Sequence, residues 1–360
     1  MMQQIKVLVV DDSALMRKLI PRILERDSSI SVVGTAMDGT FALRKIEELK
    51  PDVITLDLEM PRMDGLETLR QITKKNQVPV IVVSSHTTEG AASTFKALST
   101  GAIDFVAKPK DVLSSQMDEI AAELISKIKA AAGIKMVSRK HEMEFVPLRA
   151  RKPKPQRHDS PSRVVVIGIS TGGPNALQYM LSQLPSSFPG AIVVVQHMPE
   201  GFTELFARRL DECCAVEVKE AQSGDVLVAG RVLICPGNRH IKVRRMPLGD
   251  IVVLSDEPRV NGHRPSADVL FRSAANEFGR ECIALLMTGM GEDGAEGMGA
   301  IKQVGGMTVA QNEDSCVVFG MPKAAIERGY VTRIVPLDAL ANTLQAQCVG
   351  ERARTVPNVE

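Results

Sequence analysis

A single serine, Ser170, stands in a glycine-rich loop directly after an apolar run at 164–169 that is rich in β-branched residues. The spacing Gly168-x-Ser170-x-Gly172 matches the turn that exposes a nucleophilic serine between a strand and a helix. Pro174 suits the first turn of the helix that would follow, whose N–H groups and dipole would stabilise an oxyanion. Two other interpretations stay open: the glycines serve only close packing, or the loop cradles a phosphate. The stretch lacks both G-x-G-x-x-G and the P-loop lysine, which disfavours the phosphate interpretation.

A histidine and an aspartate follow two further apolar runs of the sequence. His197 lies two residues after the run at 191–195, and Asp293 lies in a glycine-rich turn after the run at 283–288. Because open parallel sheets bind ligands at the carboxyl ends of their strands, we expect Ser170, His197 and Asp293 at one sheet edge. A serine nucleophile needs such a base, and the base needs such an orienting carboxylate. The order of the three along the chain differs from that of α/β-hydrolases, so that fold is disfavoured.

Other histidines are rivals for the role of base. The rivals are His86, His240 and His263. The last two lie in polar loops, where each could line a substrate cleft or only hold its loop through hydrogen bonds. His141 and His158 fall in a polar segment, and we expect both to be solvated.

The first 130 residues carry groups for a different chemistry. Two apolar runs end in acids, which gives Asp11, Asp12 and Asp57 at the ends of two predicted strands. Clustered carboxylates repel one another unless a hard cation joins them, and Mg²⁺ prefers such oxygen ligands. Two further runs end in the hydroxyl of Ser84 and the ammonium of Lys108, which with a metal would bind a phosphoryl group. Taken singly, each group has an ordinary explanation, such as a helix cap or a solvated lysine.

The first half of the chain resembles a two-component receiver domain. The segments VVDDSALMR, TLDLEMPRMDGLE, VVSS and DFVAKP match that family in order. The resemblance implies that Asp57 is the phosphoacceptor and that a chemotaxis histidine kinase is its phosphodonor. It also implies that Mg²⁺ is bound by Asp11, Asp12, Asp57 and the backbone carbonyl of Glu59. Ser84 and Lys108 would contact the phosphoryl group, and Phe105 would be the aromatic switch residue. Ser84 stands where many receivers have threonine, which keeps the hydroxyl.

The second half resembles the chemotaxis protein-glutamate methylesterase/glutamine deamidase (CheB) family. The segments GISTGGP, QHMP, HRPSADVLF and GMGEDG carry this resemblance. It implies that Ser170 is the nucleophile, His197 the base and Asp293 the orienter of the base. It also implies that Thr171 and Met290 lie near the oxyanion. The implied reaction removes methyl esters from chemoreceptor glutamates, releasing methanol, and deamidates receptor glutamines.

The implied substrate is the methylated cytoplasmic region of chemoreceptors, which is rich in glutamate. Three arginines could orient it, Arg264, Arg239 and Arg272, although ordinary surface charge is the stronger interpretation for the last two. Two other functions for the second half stay open: DNA binding, and nucleotide binding through the glycine-rich loop. Residues 163–360 hold 19 basic and 22 acidic side chains, a balance that disfavours a basic helix-turn-helix.

The alternation of apolar runs with helical patterns predicts an α/β protein with two doubly wound parallel-sheet domains. The first would be a flavodoxin-like receiver, and the second an α/β methylesterase domain with an antiparallel insertion at about 215–255. The strand-like runs of this insertion are VLVAG (226–230), RVLICP (231–236), IKVRR (241–245) and IVVLS (251–255). The predicted strands of the first domain lie near 5–10, 31–35, 52–56, 80–84 and 103–107. Its first helix should bury Leu15, Leu19, Ile23 and Leu24, and its last helix, over 112–132, should bury Leu113, Met117, Ile120, Leu124 and Ile128.

Four segments follow from these patterns: a receiver domain at 1–130, a linker at 131–162, a catalytic domain at 163–350 and a tail at 351–360. The linker holds 8 basic and 3 acidic side chains in a chain whose net charge is +1. Because prolines interrupt it, we interpret it as a solvated hinge, with attraction to an acidic partner as the second interpretation. Phosphorylation would shift a two-state equilibrium toward an open enzyme, and the alternative is a receiver that acts as a passive tether.

Composition agrees with a soluble two-domain enzyme. The chain has 360 residues and 44% apolar side chains, enough for two ordinary cores. No apolar run reaches the roughly 18 residues of a membrane span and no leader precedes the first strand, so we expect a cytoplasmic protein without membrane insertion. The six cysteines show no C-x-x-C spacing and read as reduced thiols. The absence of Trp argues against a stacking platform for nucleic acid.

Overall fold

The computed structural model describes residues 4–75, 78–85, 87–108, 116–134 and 159–349. These residues form two compact units, one within Met1–Glu142 and the other within Met143–Glu360. Each unit is built on a parallel sheet with helices between successive strands, so the predicted α/β class with two doubly wound domains is confirmed. No helix in the described ranges is long and apolar enough to cross a membrane.

Within its described residues, the first unit contains five strands and five helices in strict alternation. They are β1 (Ile5–Val10), α1 (Met16–Leu24), β2 (Ile30–Ala36), α2 (Gly39–Leu49), β3 (Val53–Leu56), α3 (Gly65–Lys75), β4 (Val80–Ser84), α4 (Thr88–Thr100), β5 (Asp104–Ala107) and α5 (Gln116–Ala132). The strands are parallel in the order β2-β1-β3-β4-β5, and all four residues of β3 are buried. Each strand lies within a residue or so of its predicted position.

The buried faces of two helices differ in part from the prediction. Helix α1 begins at Met16 and buries Met16, Ile20, Ile23 and Leu24, whereas Leu15 precedes the helix and is 57% exposed. The true face is offset from the predicted one because Met16 and Ile20, one turn apart, point inward instead of Leu15 and Leu19. In α5, Leu124 and Ile128 are buried as predicted, while Met117 and Ile120 are half-buried. Leu113 lies outside the described residues.

The second unit contains a larger sheet. Its elements are β6 (Val164–Ile169), α6 (Gly173–Ser182), β7 (Ala191–Gln196), α7 (Thr203–Cys213), β8 (Glu217–Glu220), β9 (Arg231–Ile234), β10 (His240–Arg244), β11 (Ile251–Ser255), α8 (Ala267–Phe278), β12 (Cys282–Leu286), α9 (Ala295–Gln303), β13 (Met307–Gln311), α10 (Met321–Glu327), β14 (Arg333–Val335) and α11 (Leu337–Val349). Seven parallel strands run in the order β14-β13-β12-β6-β7-β9-β8, and β10 pairs antiparallel with β11. Strand β6 is buried on both faces, between β7 and β12.

The antiparallel insertion is smaller than predicted. Only β10 and β11 form it, and the predicted strand-like run at 226–230 forms no strand beyond one bridge between Val226 and Ile251. The run at 231–234 instead joins the parallel sheet beside β7, because its apolar side chains are buried there. Strand β8 was missed since its sequence, EVKE, lacks an apolar run, which is common for an edge strand.

The chain leaves β6 for β7 on one side of the sheet, whereas β12 lies on the other side. This reversal of strand order beside β6 creates a crevice at the carboxyl ends of the strands. The loops after β6, β7 and β12 are therefore the ones placed to build a ligand site.

Candidate active site and acidic pocket

The loop after β6 holds Ser170 in a fixed backbone position. Its N–H donates to the carbonyl of Thr288 at 3.0 Å, and its own carbonyl accepts from Gly173 N–H at 2.8 Å. Gly172 has φ +74°, and a Cβ there would lie 2.4 Å from Val317 Cγ2, so only glycine fits. Pro174 stands in the first turn of α6, as predicted. The half-buried Ser170 therefore follows the strand directly and precedes the helix N-terminus by a tight turn.

The half-buried His197 pairs with the buried carboxylate of Asp293 beside this loop. His197 Nε2 lies 2.8 Å from Asp293 Oδ2. The same carboxylate accepts hydrogen bonds from Ser266 Oγ at 2.5 Å, from Ala267 N–H at 2.6 Å and from Asn261 Nδ2 at 3.2 Å. Asp293 thus sits at the N-terminus of α8, where the helix dipole also favours a negative charge.

The surroundings keep Asp293 ionised. Burial alone would raise the pKa of this carboxyl group, but the hydrogen bond and charge of His197, with the bonds from Ser266 and Ala267, hold the pKa well below its ordinary value. Because an ionised carboxylate only accepts hydrogen bonds, His197 Nε2 must carry the shared proton. In a neutral imidazole the lone pair then lies on Nδ1, and no described group hydrogen-bonds to this buried atom of His197.

Backbone contacts connect the loops of Ser170 and His197. His197 N–H donates to the carbonyl of Ile169 at 3.0 Å. Gln196 Nε2 donates to the carbonyl of Ser170 at 3.0 Å and to that of His197 at 3.2 Å. Within the described ranges, no hydrogen bond joins Ser170 Oγ to His197 itself, although such bonds often form only with substrate bound. Gln196 was not predicted as a site residue, and its place beside His197 in QHMP was its only signal in the sequence.

The rival histidines occupy different positions. His240 is fully buried, accepts from Ser266 N–H at 3.2 Å and lies 3.0 Å from the carbonyl of Pro258, so it holds loops together. The ring of His263 stacks on that of His197, with centroids 3.9 Å apart and planes 8° apart. His86, His141 and His158 lie outside the described residues.

Two residues expected near the oxyanion lie in the surrounding loops. Thr171 is buried, and no described group accepts a hydrogen bond from its backbone N–H, which leaves a donor beside Ser170. Met290 is half-buried in the loop after β12. The preceding residue, Gly289, approaches so closely that a Cβ there would lie 2.8 Å from Ser170 Cβ. The loop after β12 therefore packs directly on the serine.

The three arginines make contacts within the protein. Arg264 donates from Nη2 to Asn238 Oδ1 at 2.8 Å and from Nη1 to the carbonyl of Asp256 at 3.1 Å. Arg239 pairs with the Asp256 carboxylate at 2.6 Å. Arg272 is exposed on α8. A role for any of them in binding substrate stays a prediction.

An acidic pocket lies at the corresponding edge of the first unit. Ligand oxygens of Asp11, Asp12 and Asp57 lie within 4.8 Å of one another. Lys108 Nζ lies 2.7 Å from Asp57 Oδ2 and 3.0 Å from Asp11 Oδ2. Burial raises the pKa of Asp57. Burial by itself would lower the pKa of Lys108, but the neighbouring carboxylates of Asp57 and Asp11 raise it above its ordinary value. Glu59 follows closely, and its N–H donates to Asp57 Oδ1 at 3.3 Å.

The hydroxyl of Ser84 bonds to α4. Ser84 Oγ donates to the carbonyl of Gly90 at 3.1 Å and accepts from Thr94 Oγ1 at 2.6 Å. Phe105 is buried and packs edge-to-face on Phe95 of α4, with ring centroids 6.5 Å apart. Both residues that the sequence linked to signalling therefore contact α4.

The fold and these two sites define a response regulator whose output domain is a hydrolase. Residues 165–344 match the family model of the CheB methylesterase, and residues 7–117 match that of the response regulator receiver domain. A protein-glutamate methylesterase/protein-glutamine glutaminase of Koribacter versatilis is 62% identical over 353 residues, covering 97% of each chain. One of Pyrococcus horikoshii is 45% identical, covering 95% of this chain and 93% of the other.

A solved structure supports the same assignment for the second unit. The crystal structure of the Thermotoga maritima CheB methylesterase catalytic domain is 40% identical, with a TM-score of 0.51, and the match covers 51% of this chain and 98% of that one. The chain therefore belongs to the CheB family of protein-glutamate methylesterases/protein-glutamine glutaminases. It is an enzyme of that family, a carboxylic ester hydrolase with a receiver domain.

Proposed function

We propose that Ser170, His197 and Asp293 form the catalytic triad of this hydrolase. The observation that carries the proposal is the contact of 2.8 Å between His197 Nε2 and the buried Asp293 carboxylate, which leaves Nδ1 of the same ring without a hydrogen bond among the described residues. Asp293 fixes the tautomer that makes Nδ1 a base, and its charge stabilises the imidazolium that forms. Ser170 supplies the nucleophile from the adjoining loop.

The reaction would proceed through an acyl-enzyme. Ser170 Oγ attacks the carbonyl carbon of a γ-glutamyl methyl ester while His197 Nδ1 takes the hydroxyl proton. The backbone N–H of Thr171, at the helix end, stabilises the oxyanion, with Met290 beside it. His197 returns the proton to methoxide, which leaves as methanol, and water then hydrolyses the ester of Ser170 by the same steps. A glutamine presents the same carbon with ammonia as the leaving group, which accounts for deamidation.

The proposed substrate is the methylated cytoplasmic domain of a chemoreceptor. Its glutamate-rich surface would meet Arg264 near the site, although that guanidinium already bonds to Asn238 and Asp256. Both relatives described above carry methylesterase/glutaminase names, which supports a protein-bound glutamyl substrate.

A serine-directed fluorophosphonate tests the triad. The probe reacts preferentially with serines that a neighbouring base activates, so the intact protein, treated with acetyl phosphate and Mg²⁺, should carry one label on Ser170 by peptide mass spectrometry. The His197→Ala variant should remain unlabelled under the same conditions. Thermal stabilisation by nucleotides without labelling would instead favour a nucleotide-binding output domain and contradict the hydrolase mechanism.

We also propose that Asp57 accepts a phosphoryl group from a chemotaxis histidine kinase and that this raises the hydrolase activity. The three carboxylates of the acidic pocket offer hard oxygen ligands at short mutual distance, which fits Mg²⁺, and the backbone carbonyl of Glu59 would complete the set. When bound, Mg²⁺ would neutralise charge on the transferring phosphoryl oxygens. Lys108 already pairs with Asp57 and is placed to pair with a phosphoryl oxygen.

Ser84 and Phe105 would transmit the change. Since the one hydroxyl hydrogen of Ser84 is donated to α4, a hydrogen bond to the phosphoryl group would require it to leave the Gly90 carbonyl. Incubation with acetyl phosphate and Mg²⁺ should add one labile phosphoryl group, detected as a mass increase of the intact protein. The Asp57→Asn variant should gain none, and stable incorporation in that variant would show that the acceptor lies elsewhere.

A further inference from the structure

The turn at Val260–His263 contacts the His197–Asp293 pair from a separate loop. Val260 N–H donates to the His263 carbonyl at 3.0 Å, and His263 N–H donates to the Val260 carbonyl at 2.9 Å. The two residues between them, Asn261 and Gly262, have φ of 53° and 77°. An Asn-Gly pair with both φ values positive closes the tightest kind of two-residue turn. The turn therefore holds its side chains in fixed directions.

Two side chains of this turn contact the proposed triad. Asn261 Nδ2 donates to Asp293 Oδ1 at 3.2 Å and to Asp268 Oδ2 at 2.8 Å. The ring of His263 lies parallel to that of His197, with centroids 3.9 Å apart and an angle of 8° between the planes. One short turn thus contacts both the carboxylate and the imidazole.

The stacked ring of His263 restrains a rotation of the His197 ring that the hydrogen bond to Asp293 does not restrain. A single hydrogen bond from Nε2 to Asp293 leaves the imidazole of His197 free to pivot about that bond. A flat ring against one face of His197 fixes its plane, and therefore the direction of Nδ1. When His197 takes the serine proton it becomes a cation, and the face of a neutral aromatic ring attracts a cation. This attraction is stronger in the transition state than in the free enzyme, so it should raise kcat.

We infer that His263 is a positioning residue for the general base, acting through its stacked ring and not through proton transfer. The inference rests on the proposed triad. It predicts that an aromatic ring at position 263 is sufficient, because a phenyl group offers the same flat face but no titratable nitrogen. A leucine offers similar apolar volume without that face, which makes His263→Leu the matched control for His263→Phe.

The test measures methanol release from a methylated chemoreceptor fragment and the rate of fluorophosphonate labelling, using full-length proteins that have all been treated with acetyl phosphate and Mg²⁺. His263→Leu and His263→Ala should lower kcat about 3- to 30-fold with little change in KM, and His263→Phe should stay within about twofold of the parent protein. Labelling rates should follow the same order. Thermal unfolding midpoints within a few degrees of the parent protein's would show that the fold is intact.

Two results would overturn the inference. One is a kcat for His263→Leu equal to that of the parent protein, and the other is a loss in His263→Phe as large as that in His263→Leu. If the parent protein itself fails to label at Ser170, the triad is wrong. Labelling of the parent that is matched by all three variants would leave the triad standing and reject only the role of His263.

Discussion

At the scale of single residues, the charge of Asp293 governs the site. Its carboxylate is buried, yet five donors among the described residues surround it: His197, Ser266, Ala267, Asp268 and Asn261. These bonds replace the water that the charge has lost and keep its pKa low. The proton shared with His197 therefore stays on the imidazole, which is the tautomer that the proposed mechanism needs.

Substitution of the base and of its orienter should differ in severity. His197→Ala removes the only group proposed to accept the serine proton, so kcat for methanol release should fall about 10⁴-fold or more. Asp293→Asn removes the charge of the side chain but keeps its shape, so kcat should fall less, by about 10²- to 10⁴-fold. Equal activity of the His197→Ala variant and the parent protein would reject His197 as the base.

The depressed pKa of Asp293 also predicts a pH-dependent stability. The folded protein holds this group below its ordinary pKa of 3.8, so the ionised carboxylate stabilises the fold above that value. The stabilisation is lost as the pH falls toward the folded-state pKa. Urea unfolding of the parent protein and Asp293→Asn should therefore give a difference in free energy of unfolding that shrinks between about pH 5 and about pH 2. A difference that grows on acidification contradicts the assigned pKa shift.

At the scale of helices and strands, the positions of the site loops were predictable because the strands are buried on both faces. Strand β6 consists of apolar, mostly β-branched residues, its neighbours β7 and β12 are also buried throughout, and the polar residues soon after each apolar run mark the sheet edge. The sequence also indicated Ser170, His197 and Asp293 as neighbours, although the hydrogen bond between the last two required coordinates. Contacts between distant segments, such as that of His263 with His197, leave no local pattern.

Other features were mispredicted for identifiable reasons. The apolar spacing of α1 suits two adjacent faces, and only packing selects Met16 and Ile20. The run at 231–234 suits either an insertion or a central sheet, and pairing with β7 decides between them. The Ser84 hydroxyl points to α4 because Gly90 and Thr94 offer bonding partners that sequence spacing does not specify.

The loop after β6 provides a test at this scale. An alanine at Gly172 would adopt an unfavourable φ of +74° and place its Cβ 2.4 Å from Val317. We expect Gly172→Ala to lower the free energy of unfolding by about 2 to 4 kcal/mol and to displace Ser170 enough to lower kcat. Gly329→Ala is the matched control, because its φ is +70° and nothing lies within 4 Å of the added atom.

The control variant, Gly329→Ala, should lose about 1 kcal/mol of its free energy of unfolding and keep the kcat of the parent protein. Chemical unfolding and methanol release measure the two effects. An equal stability loss in both variants, with unchanged kcat in each, would show that the close contact at Val317 is unimportant.

At the scale of the whole molecule, a receiver and a hydrolase share one chain. The acidic pocket of the first and the proposed triad of the second both lie at the carboxyl ends of parallel strands. The predicted basic linker lies largely outside the described residues, and the predicted boundaries of all four segments stay predictions. Domain order and family together favour control of the second unit by phosphorylation of the first.

A truncation separates inhibition from passive tethering. A fragment that begins near Pro147, outside the described residues, keeps the whole second unit, and the catalytic domain of the Thermotoga maritima relative was crystallised as a separate domain. If the receiver inhibits, this fragment should release methanol faster than the unphosphorylated full chain and should not respond to acetyl phosphate. A fragment no faster than the intact protein rejects inhibition and leaves the tether.

The most direct test of the central claim compares the full chain with its Ser170→Ala variant on a methylated chemoreceptor cytoplasmic domain. Release of methanol is measured after treatment of both proteins with acetyl phosphate and Mg²⁺, so that the receiver is in the same state in each. The account predicts steady release by the parent protein and release at background by Ser170→Ala, with unchanged thermal unfolding. Release by the variant at the parent rate would contradict the claim that Ser170 is the nucleophile.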